Sequence, residues 1–301
     1  MRKHIYTIIS FVLALVFTTY IALDTFVISH IYAVVDSTDS SNLSLATVSE
    51  DAAEAATNAV VTENSYTDEN ISITITTYRE NDTNIYVADI QLTDSAYLQT
   101  ALAQAAYGKN VTDTTSNIAE SVDAILAING DYYGVQESGY VIRNGVLYRS
   151  EGESGQEDLV IYQDGTMEII SEDEISAEEL LANGAWNVLC FGPALIEDGA
   201  VAVTTSDEVD KAMTSNPRTA IGIIDELHYV FVVADGRTDE SEGLSLYQLA
   251  EFMESLGVTC AYNLDGGGSS TMVFNGTVIN NPTSGHGSKE RSVSDIVYIG
   301  Y

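Results

Sequence analysis

Three consecutive glycines follow an apolar run in NLDGGGSST at residues 263–271. Glycines after a strand allow backbone N–H groups to converge on an anion, and the hydroxyl side chains that follow add donors. A Walker loop is excluded because no lysine follows and TMVFNG at 271–276 has a strand pattern. The alternative is a plain glycine turn, but Asp265 stands at a strand end, where functional residues gather. The predicted anion-binding residues, here called the glycine loop, are Gly266, Gly267, Gly268, Ser269, Ser270 and Thr271.

The segment AINGDYYG at residues 127–134 has the same layout, with polar and aromatic residues at the end of an apolar run. Aromatic rings stack on the apolar face of a sugar, and a carboxylate can serve its hydroxyls or its anomeric centre. Asn129, Asp131, Tyr132 and Tyr133 are therefore predicted to bind a sugar. A surface turn with two partly buried tyrosines is the alternative.

Arginines are scarce in this chain and lie beside turn-rich loops. Lys and Arg total 11 against 45 Asp and Glu, and the formal net charge is -34. Arginines kept at loop tips of so acidic a protein indicate a pocket for phosphate or carboxylate, although each one can instead pair with a surface carboxylate. Arg218 and Arg237 favour the pocket because both flank apolar strands at one predicted sheet edge. The other arginines in such loops are Arg143 and Arg291.

The same charge balance excludes a general nucleic-acid-binding face, because an acidic surface repels polyphosphate backbones. Motifs for other chemistries are weak. Only His228 and His286 lie beyond residue 30, so a multi-histidine metal site is not predicted. Cys190 and Cys260 lie in apolar runs typical of buried thiols, with a disulfide as the less favoured reading.

The elements that position these residues indicate a mixed α and β class, with sheets flanked by a few helices in a single catalytic domain. The hydrophobic content of 45% in 301 residues is ample for a core. Alternating residues at 71–78 and 84–92 predict an opening hairpin, and apolar runs at 219–225 and 228–236 predict a second strand pair. Helical spacing over 244–257 predicts a helix that stops at Gly257.

The amino end predicts export. Residues 5–23 contain no Asp, Glu, Lys or Arg and follow Arg2 and Lys3, which is typical of an uncleaved signal anchor with the rest of the chain outside the membrane. A cleaved signal, giving a secreted protein, is the alternative, and a buried core helix is less favoured. We therefore assign residues 1–35 to a cytoplasmic tip and anchor. Residues 36–70 hold eight acidic residues and no basic ones, which predicts a disordered tether ahead of a domain at 71–301.

Several motifs together resemble the phosphodiester glycosidase family, over roughly residues 71–301. They are AINGDYYG, FGPALIEDG at 191–199, NPRTAIGI at 216–223, VVADGR at 232–237, the segment 249–272 that ends in NLDGGGSSTM, and KERSVSDIVYIG at 289–300. The resemblance implies a bacterial exported enzyme that hydrolyses the bond between an anomeric carbon and a phosphodiester, on an α/β domain. Carried over by position, the family's site maps to Asn129, Asp131, Arg218, Asp235, Arg237 and residues 265–271.

The residue types and the family resemblance predict the same roles for the site residues. Arg218, Arg237 and the glycine loop are assigned to the phosphate, with Arg291 as a further binding residue, and Asp131, Asp265 and Asp235 are the catalytic candidates. The expected substrate is a phosphate-linked glycan or cell-envelope polymer, and no cofactor is expected. The rival is a non-catalytic envelope module that binds anionic or sugar polymers in the same pocket. A divalent cation held by Asp131, Asp235 and Asp265 is compatible with either function.

Overall fold

The computed structural model describes residues 2–35, 58–207, 215–285 and 287–301. Within these ranges the helices are α1 (Arg2–Phe26), α2 (Thr115–Ser121), α3 (Ala177–Ala182) and α4 (Leu246–Ser255). The first strands are β1 (His30–Val34), β2 (Val60–Val61), β3 (Ser65–Thr67), β4 (Ile71–Glu80), β5 (Thr83–Leu92), β6 (Leu98–Leu102), β7 (Ala106–Lys109), β8 (Leu126–Asn129), β9 (Val141–Arg143), β10 (Val146–Arg149), β11 (Glu157–Tyr162) and β12 (Met167–Ser171). The later strands are β13 (Ala185–Leu189), β14 (Ala194–Glu197), β15 (Ala200–Val201), β16 (Arg218–Asp225), β17 (His228–Ala234), β18 (Cys260–Asn263), β19 (Met272–Phe274), β20 (Thr277–Val278), β21 (Thr283–Ser284), β22 (Gly287–Ser288) and β23 (Asp295–Ile299).

Three sheets carry the fold. The largest has nine strands in the order β15-β14-β18-β16-β17-β5-β4-β3-β2. A five-stranded sheet has the order β20-β19-β8-β23-β6, and another has the order β10-β9-β13-β11-β12. The pairs β1–β7 and β21–β22 form two-stranded ribbons. The mixed class of sheets with a few helices is confirmed, and the strand pairs are antiparallel in the described part of the chain.

The core lies between these sheets, with helices on the outer faces. Alternation places one set of side chains from the nine-stranded sheet, such as Ile73, Ile90 and Phe231, against side chains from both five-stranded sheets, such as Ile128 and Leu159. The opposite face of the nine-stranded sheet is covered by α4 through Leu249 and Met253. Helix α4 begins where Ser245 and Gln248 form a capping box, and it ends ahead of Gly257, which has a φ of +81°.

The opening hairpin and the second strand pair form as predicted. Strands β4 and β5 pair over their full length, from Ile71 opposite Leu92 to Glu80 opposite Thr83. Strands β16 and β17 pair from Arg218 opposite Ala234 onwards. Because β17 also pairs with β5, both hairpins lie side by side in one sheet. The β4–β5 turn therefore lies beside the end of β17, where Ala234 is opposite Ile85, and the β16–β17 turn lies at the other end of these strands.

The predicted tether is wrong in its last part. Strands β2 and β3 pair with each other, and β3 pairs with β4, so the nine-stranded sheet begins by residue 60 rather than residue 71. Tyr66 is buried in the main core. The sequence did not indicate these strands because they have only two and three residues, too few to show an alternating pattern. The rest of the predicted tether, residues 36–57, lies outside the described residues.

The last part of the segment 1–35, which was assigned to the tip and anchor, instead belongs to the folded domain. Strand β1 pairs with β7, and the side-chain amide of Asn110 donates to the carbonyls of Thr25 (3.0 Å) and Ile28 (3.1 Å). Ahead of it, α1 is long and apolar enough to cross a membrane, with a mean hydropathy of 1.8 over Ile9–Phe26 and none of that window buried. A signal sequence has the same properties, so the helix is compatible with an anchor or with a cleaved signal.

Candidate active site

Four chain segments bring the predicted site residues to one edge of the nine-stranded sheet. Strand β17 ends next to the start of β16, and β16 pairs with β18, which runs into the glycine loop. The loop after β8 joins them, because the Asp265 N–H donates to the Gly130 carbonyl (3.4 Å). The sequence motifs are thus adjacent in space, although they are far apart in the chain.

The glycine loop is held by its own amides. The N–H of Gly267 donates to the Pro217 carbonyl (2.8 Å), and those of Ser269 and Ser270 donate back to Gly266 (3.2 Å) and Gly267 (3.3 Å). Gly267 has a φ of +62°, a conformation that favours glycine. These three amides are therefore taken by the protein. The expectation that the loop amides converge on an anion is not supported at these positions.

Two hydroxyls of the loop are buried without partners. The Oγ of Ser270 and the Oγ1 of Thr271 make no hydrogen bond among the described residues, and both residues are almost fully buried. By contrast, the Ser269 hydroxyl donates to Oδ2 of Asp265 (2.6 Å). The hydroxyls therefore divide between one that holds the carboxylate and two that lie behind the loop.

Asp265 is the predicted carboxylate that lies at the solvent boundary. Its side chain is 10% exposed and pairs with Arg291, whose Nη2 lies 3.0 Å from Oδ1 and 2.8 Å from Oδ2. Burial raises the pKa of Asp265 above its ordinary value, against the opposing effects of the Arg291 charge and the Ser269 hydrogen bond. A carboxyl group with a raised pKa beside a cation suits proton transfer or charge stabilisation.

Arg237 and Arg291 flank the glycine loop. A Cβ atom added to Gly267 would lie 2.9 Å from Nη2 of Arg237, so this guanidinium lies directly against the loop. On the other side, Nη2 of Arg291 donates to the Gly266 carbonyl (3.3 Å) and Nε donates to Ser269 (2.8 Å). Asn216 accepts from Nε and Nη2 of Arg237. In both arginines Nη1 has no partner within the described chain, and both side chains reach solvent.

Arg218 and Asp235 lie beneath this surface. Arg218 is 3% exposed and donates its Nε–H to the Leu244 carbonyl (2.9 Å). Asp235 is equally buried and accepts from the Asn281 N–H (2.9 Å) and from Nδ2 of Asn280 (3.1 Å). Asn280 also donates to the Ser270 carbonyl (3.0 Å). Asp235 therefore supports the glycine loop from behind, through Asn280.

Asn129 also supports the loop. Its Nδ2 donates to the Asp265 carbonyl (2.6 Å), and its Oδ1 accepts from the Thr219 hydroxyl (2.8 Å) and the Thr271 N–H (3.2 Å). The side chain is fully buried. Asn129 thus connects β8, β16 and the glycine loop, and this geometry favours a positioning role over substrate contact.

Asp131 is enclosed. Its Oδ2 accepts from Nη2 of Arg143 (2.7 Å) and from the Cys190 N–H (2.9 Å), and its Oδ1 accepts from the Tyr133 N–H (2.9 Å). Arg143 also donates from Nε to Asp295 (2.7 Å). Arg143, Asp131 and Asp295 therefore form a buried ion triad, and the geometry favours a structural role for Asp131.

The two tyrosines predicted as a sugar platform separate. Tyr133 is 1% exposed and stacks on Tyr107, with ring centroids 5.4 Å apart. The Arg143 guanidinium lies over its ring at 5.4 Å. Tyr132 is 39% exposed. Tyr132 alone is therefore available to a sugar ring.

Sequence reasoning missed three residues of this site. Asn280 carries no distinctive motif, and Asn216 opens NPRTAIGI, where Arg218 was the residue selected. Their contacts exist only because the chain folds back on itself. Asp295 lies in KERSVSDIVYIG, where the arginine drew attention instead. For Arg143 the sequence favours pairing with a surface carboxylate over anion binding, and the structure pairs it with two carboxylates that are buried. No sequence signal links residues 143 and 295, although they lie in hydrogen-bond contact.

The proposed cation set of Asp131, Asp235 and Asp265 does not form one cluster. Each carboxylate has its own partners, as described above. Among the described residues, the group of acidic, thiol or imidazole side chains whose ligand atoms converge is Asp158, Glu172 and Cys190, outside this site. Both Cys190 and Cys260 are free thiols.

Comparison with known proteins agrees with these motifs. The model of the phosphodiester glycosidase family matches residues 123–300. The SPbeta prophage-derived uncharacterized protein YomE of Bacillus subtilis is 32% identical over 205 residues, which cover 65% of this chain and 31% of that protein. The mouse N-acetylglucosamine-1-phosphodiester alpha-N-acetylglucosaminidase is 30% identical over 192 residues, or 56% of this chain and 35% of the enzyme.

A solved structure has the same fold. The zebrafish N-acetylglucosamine-1-phosphodiester alpha-N-acetylglucosaminidase catalytic domain, auto-inhibited by its pro-peptide, superposes with a TM-score of 0.60 at 23% identity. The match covers 77% of this chain and 83% of that domain. The regions matched to YomE and to the mouse enzyme span about a third of the length of each. Because the family model matches more than half of this chain and its motifs converge on one site, the chain belongs to the phosphodiester glycosidase family.

Proposed function

We propose that this protein hydrolyses the bond between the anomeric carbon of a sugar and the phosphate of a phosphodiester. The observation that carries the proposal is the arrangement of Asp265 beside the glycine loop, with Arg237 and Arg291 on either side. A glycosyl phosphodiester needs cations for its phosphate and a carboxylate for its anomeric centre. This site offers both around the glycine loop, because Arg237 and Arg291 contact that loop from two other segments of the chain.

The phosphate is assigned to the two exposed arginines. A guanidinium presents a planar set of donors that suits phosphate oxygens, and Nη1 of Arg237 and of Arg291 has no competing partner in the described chain. Arg218, the arginine first expected to bind phosphate, is buried and holds the Leu244 carbonyl instead. We assign Arg218 to positioning of the 216–218 segment, whose Pro217 carbonyl anchors the glycine loop.

The anomeric carbon is assigned to Asp265. As the bond from the anomeric carbon to the phosphate oxygen breaks, the bonding electrons leave with the phosphate, and water supplies the new C–O bond. Asp265 accepts the proton of that water or stabilises the positive charge that develops on the sugar. The leaving phosphate monoester is a weak base, so a strong general acid is not required, and electrostatic stabilisation by the arginines is the larger contribution. Tyr132 is assigned to the sugar ring.

The reaction is tested with the full chain and a panel of sugar-1-phosphodiesters, including N-acetylglucosamine-1-phosphodiesters because a named relative acts on that class. The readout is free reducing sugar together with the released phosphate monoester. Release of both supports the hydrolase. If the wild type binds these compounds without turnover, the non-catalytic envelope module replaces the proposal.

We further propose that the protein acts outside the cytoplasm on an envelope glycopolymer, held at the membrane by α1. The support is the apolar helix behind Arg2 and Lys3, because positive charge is retained on the cytoplasmic side. Strand β1 follows α1 closely and pairs with β7, so the domain would lie next to the membrane surface. Protease added to intact cells should remove the domain. Protection from the protease would contradict this topology, and release into the medium would indicate a cleaved signal.

A further inference from the structure

A second group of reactive side chains lies away from the proposed active site, at the end of the β10-β9-β13-β11-β12 sheet. Asp158 lies on β11, Glu172 directly follows β12 and Cys190 directly follows β13. One ligand atom from each lies within 4.8 Å of the others. All three residues are buried, with exposed fractions of 0%, 8% and 1%. The strand pairing β12–β11–β13 brings them together.

Within the described chain, the carboxylate of Asp158 lacks the hydrogen-bond donors that a buried carboxylate needs. Both of its carboxylate oxygens are buried, and neither has a hydrogen-bond partner among the described residues. Its neighbour Glu172 is instead held rigidly, because Oε1 accepts from the Tyr140 N–H (2.7 Å) and Oε2 accepts from the Glu153 N–H. A buried carboxylate without partners is strongly unfavourable. Among the described residues, the groups close enough to satisfy Asp158 are the Cys190 thiol and, through a shared proton, Glu172, and a bound cation would replace either of them.

The neighbouring charged side chains of the described chain do not pair with Asp158. Arg143 is the buried cation nearest in the network, and it is already committed to Asp131 and Asp295. Asp131 in turn accepts the Cys190 N–H (2.9 Å), which connects the triad to this cluster. The adjoining interior thus holds four carboxyl groups, those of Asp131, Asp158, Glu172 and Asp295. Arg143 pairs with two of them, Asp131 and Asp295. The excess of negative charge requires either a cation or bound protons.

The cluster is closed on one side by backbone. A Cβ atom added to Gly139 would lie 2.5 Å from Sγ of Cys190 and 3.6 Å from Oε1 of Glu172. Gly139 also has a φ of +90°, so a side chain is disfavoured there on two grounds. Gly139 therefore lets the backbone of this loop pack directly against the Cys190 thiol, and it closes the cluster on that side.

From this geometry we propose that Asp158, Glu172 and Cys190 bind a divalent transition-metal ion of the Zn²⁺ type. Two carboxylates and a thiolate match the ligands that Zn²⁺ accepts, whereas a thiolate disfavours Ca²⁺ and Mg²⁺, which require oxygen. Three protein ligands leave one tetrahedral position for a further donor. The ion would join the ends of β11, β12 and β13. Its role is structural, and it does not depend on the proposed hydrolase activity.

The test uses the full chain, expressed with Zn²⁺ or with Co²⁺ and purified in detergent without chelator. Metal content is measured by mass spectrometry, and Co²⁺ reports thiolate coordination through its charge-transfer absorption. We expect about one metal per chain and a thiolate-to-cobalt band. The variants Cys190→Ser and Asp158→Asn should lose the metal, and Cys190→Ser should lose the band. The control Cys260→Ser, which removes the other free thiol, should retain both.

Thermal unfolding supplies a readout independent of the spectrum. A strong chelator should lower the unfolding temperature of the wild type and of Cys260→Ser but leave Asp158→Asn unchanged, because a ligand that binds only the folded state stabilises it. Metal that persists in both cluster variants would place the ion elsewhere and overturn the proposal. A metal-free wild type that is insensitive to chelator would also overturn it.

Discussion

Arg143 and Asp131 form an ion pair with 2.7 Å between Nη2 and Oδ2, and both side chains are almost wholly excluded from solvent. The sequence predicts a catalytic role for Asp131, whereas for Arg143 it favours pairing with a surface carboxylate over anion binding. In the structure the charge of each residue is paired with that of the other. A buried charge with a good partner contributes to the structure only while the partner is present, because removing one leaves the other unpaired.

We therefore predict that Asp131→Asn chiefly lowers the free energy of unfolding. The asparagine amide would place an NH2 group at one of the two oxygen positions, against donors from Arg143 and Cys190 or from Tyr133. The expected loss is about 3 kcal/mol, as for a broken buried pair. It is measured by denaturant unfolding of the full chain. Unchanged stability together with lost turnover would instead support the original catalytic assignment of Asp131.

Asp265→Asn should behave in the opposite way. Its carboxylate lies at the solvent boundary, so the amide replacement keeps the size and loses the charge that the anomeric centre needs. We expect kcat to fall by about a hundredfold or more, with KM changed little. The matched control is Asp225→Asn, at the opposite end of β16, whose side chain is 75% exposed. Full turnover in Asp265→Asn would remove this residue from the chemistry.

A comparison of leaving groups refines the role of Asp265. An aryl phosphodiester has a better leaving group than an alkyl one, and it would bypass the loss of a general acid. It would not bypass the loss of a base or a nucleophile. We expect Asp265→Asn to remain impaired on both substrates, whereas rescue by the aryl substrate would assign a general-acid role.

The two flanking arginines are expected to share the phosphate. Arg237→Ala and Arg291→Ala should each raise KM, and kcat should fall as well where the contact strengthens in the transition state. Arg237→Lys keeps the charge but loses the planar donor pair, so its KM should lie between those of the wild type and the alanine variant. Steady-state kinetics at fixed ionic strength provide the measurement. An unchanged KM in both alanine variants would exclude the arginines as the phosphate site.

The pH dependence of kcat/KM should report Asp265. Burial raises its pKa, so a reaction that needs the ionised carboxylate should lose activity on the acid side at higher pH than an ordinary aspartate would cause. The Arg291 charge opposes this shift, so Arg291→Gln should move the acid limb to still higher pH. The folded state favours the protonated form, and stability from this group is therefore lost as pH rises through the raised pKa. An acid limb that stays in place in Arg291→Gln would mean that another group titrates.

Local patterns predicted the elements, but the contacts between them needed the fold. The β4–β5 hairpin follows from alternation of residues, and α4 follows from helical spacing that stops at Gly257. The predicted site motifs also lie together at one edge of the nine-stranded sheet. The sequence does not indicate that Asp131 faces Arg143 and Asp295, since those partners come from β9 and β23. The sequence therefore indicated which residues lie near the candidate site, but it did not indicate which carboxylate reaches solvent.

The amino-terminal boundary failed for a different reason. Residues 60–67 form two short edge strands whose composition resembles a linker, and one buried aromatic, Tyr66, is too little to predict a strand. Their place in the fold depends on long-range contact. Asp68 accepts from the hydroxyls of Tyr66 (2.7 Å) and Tyr301 (2.6 Å), which joins this segment to the last residue of the sequence.

This contact yields a prediction about stability. Burial alone would raise the pKa of Asp68, but hydrogen bonds from Tyr301, Tyr66 and the N–H groups of Asn70 and Ile71 bring it below its ordinary value. Asp68→Ala removes the acceptor for four donors and should lower the free energy of unfolding by about 1–3 kcal/mol at neutral pH. The neighbouring exposed residue provides the control, Glu69→Ala, which should change little.

The pH dependence of the Asp68 effect has a defined sign. Because the folded-state pKa is lowered, the carboxylate contributes stability above its unfolded pKa of about 3.9, and the contribution is lost as pH falls through the folded value. The difference between wild type and Asp68→Ala should therefore be full at pH 7 and shrink in acid, when measured by denaturant unfolding across that range. A difference that does not change with pH would show that hydrogen-bond geometry, and not the charge of Asp68, stabilises this junction. No difference at any pH would restore residues 58–70 to the tether, because a segment that contributes nothing to folding is not part of the domain.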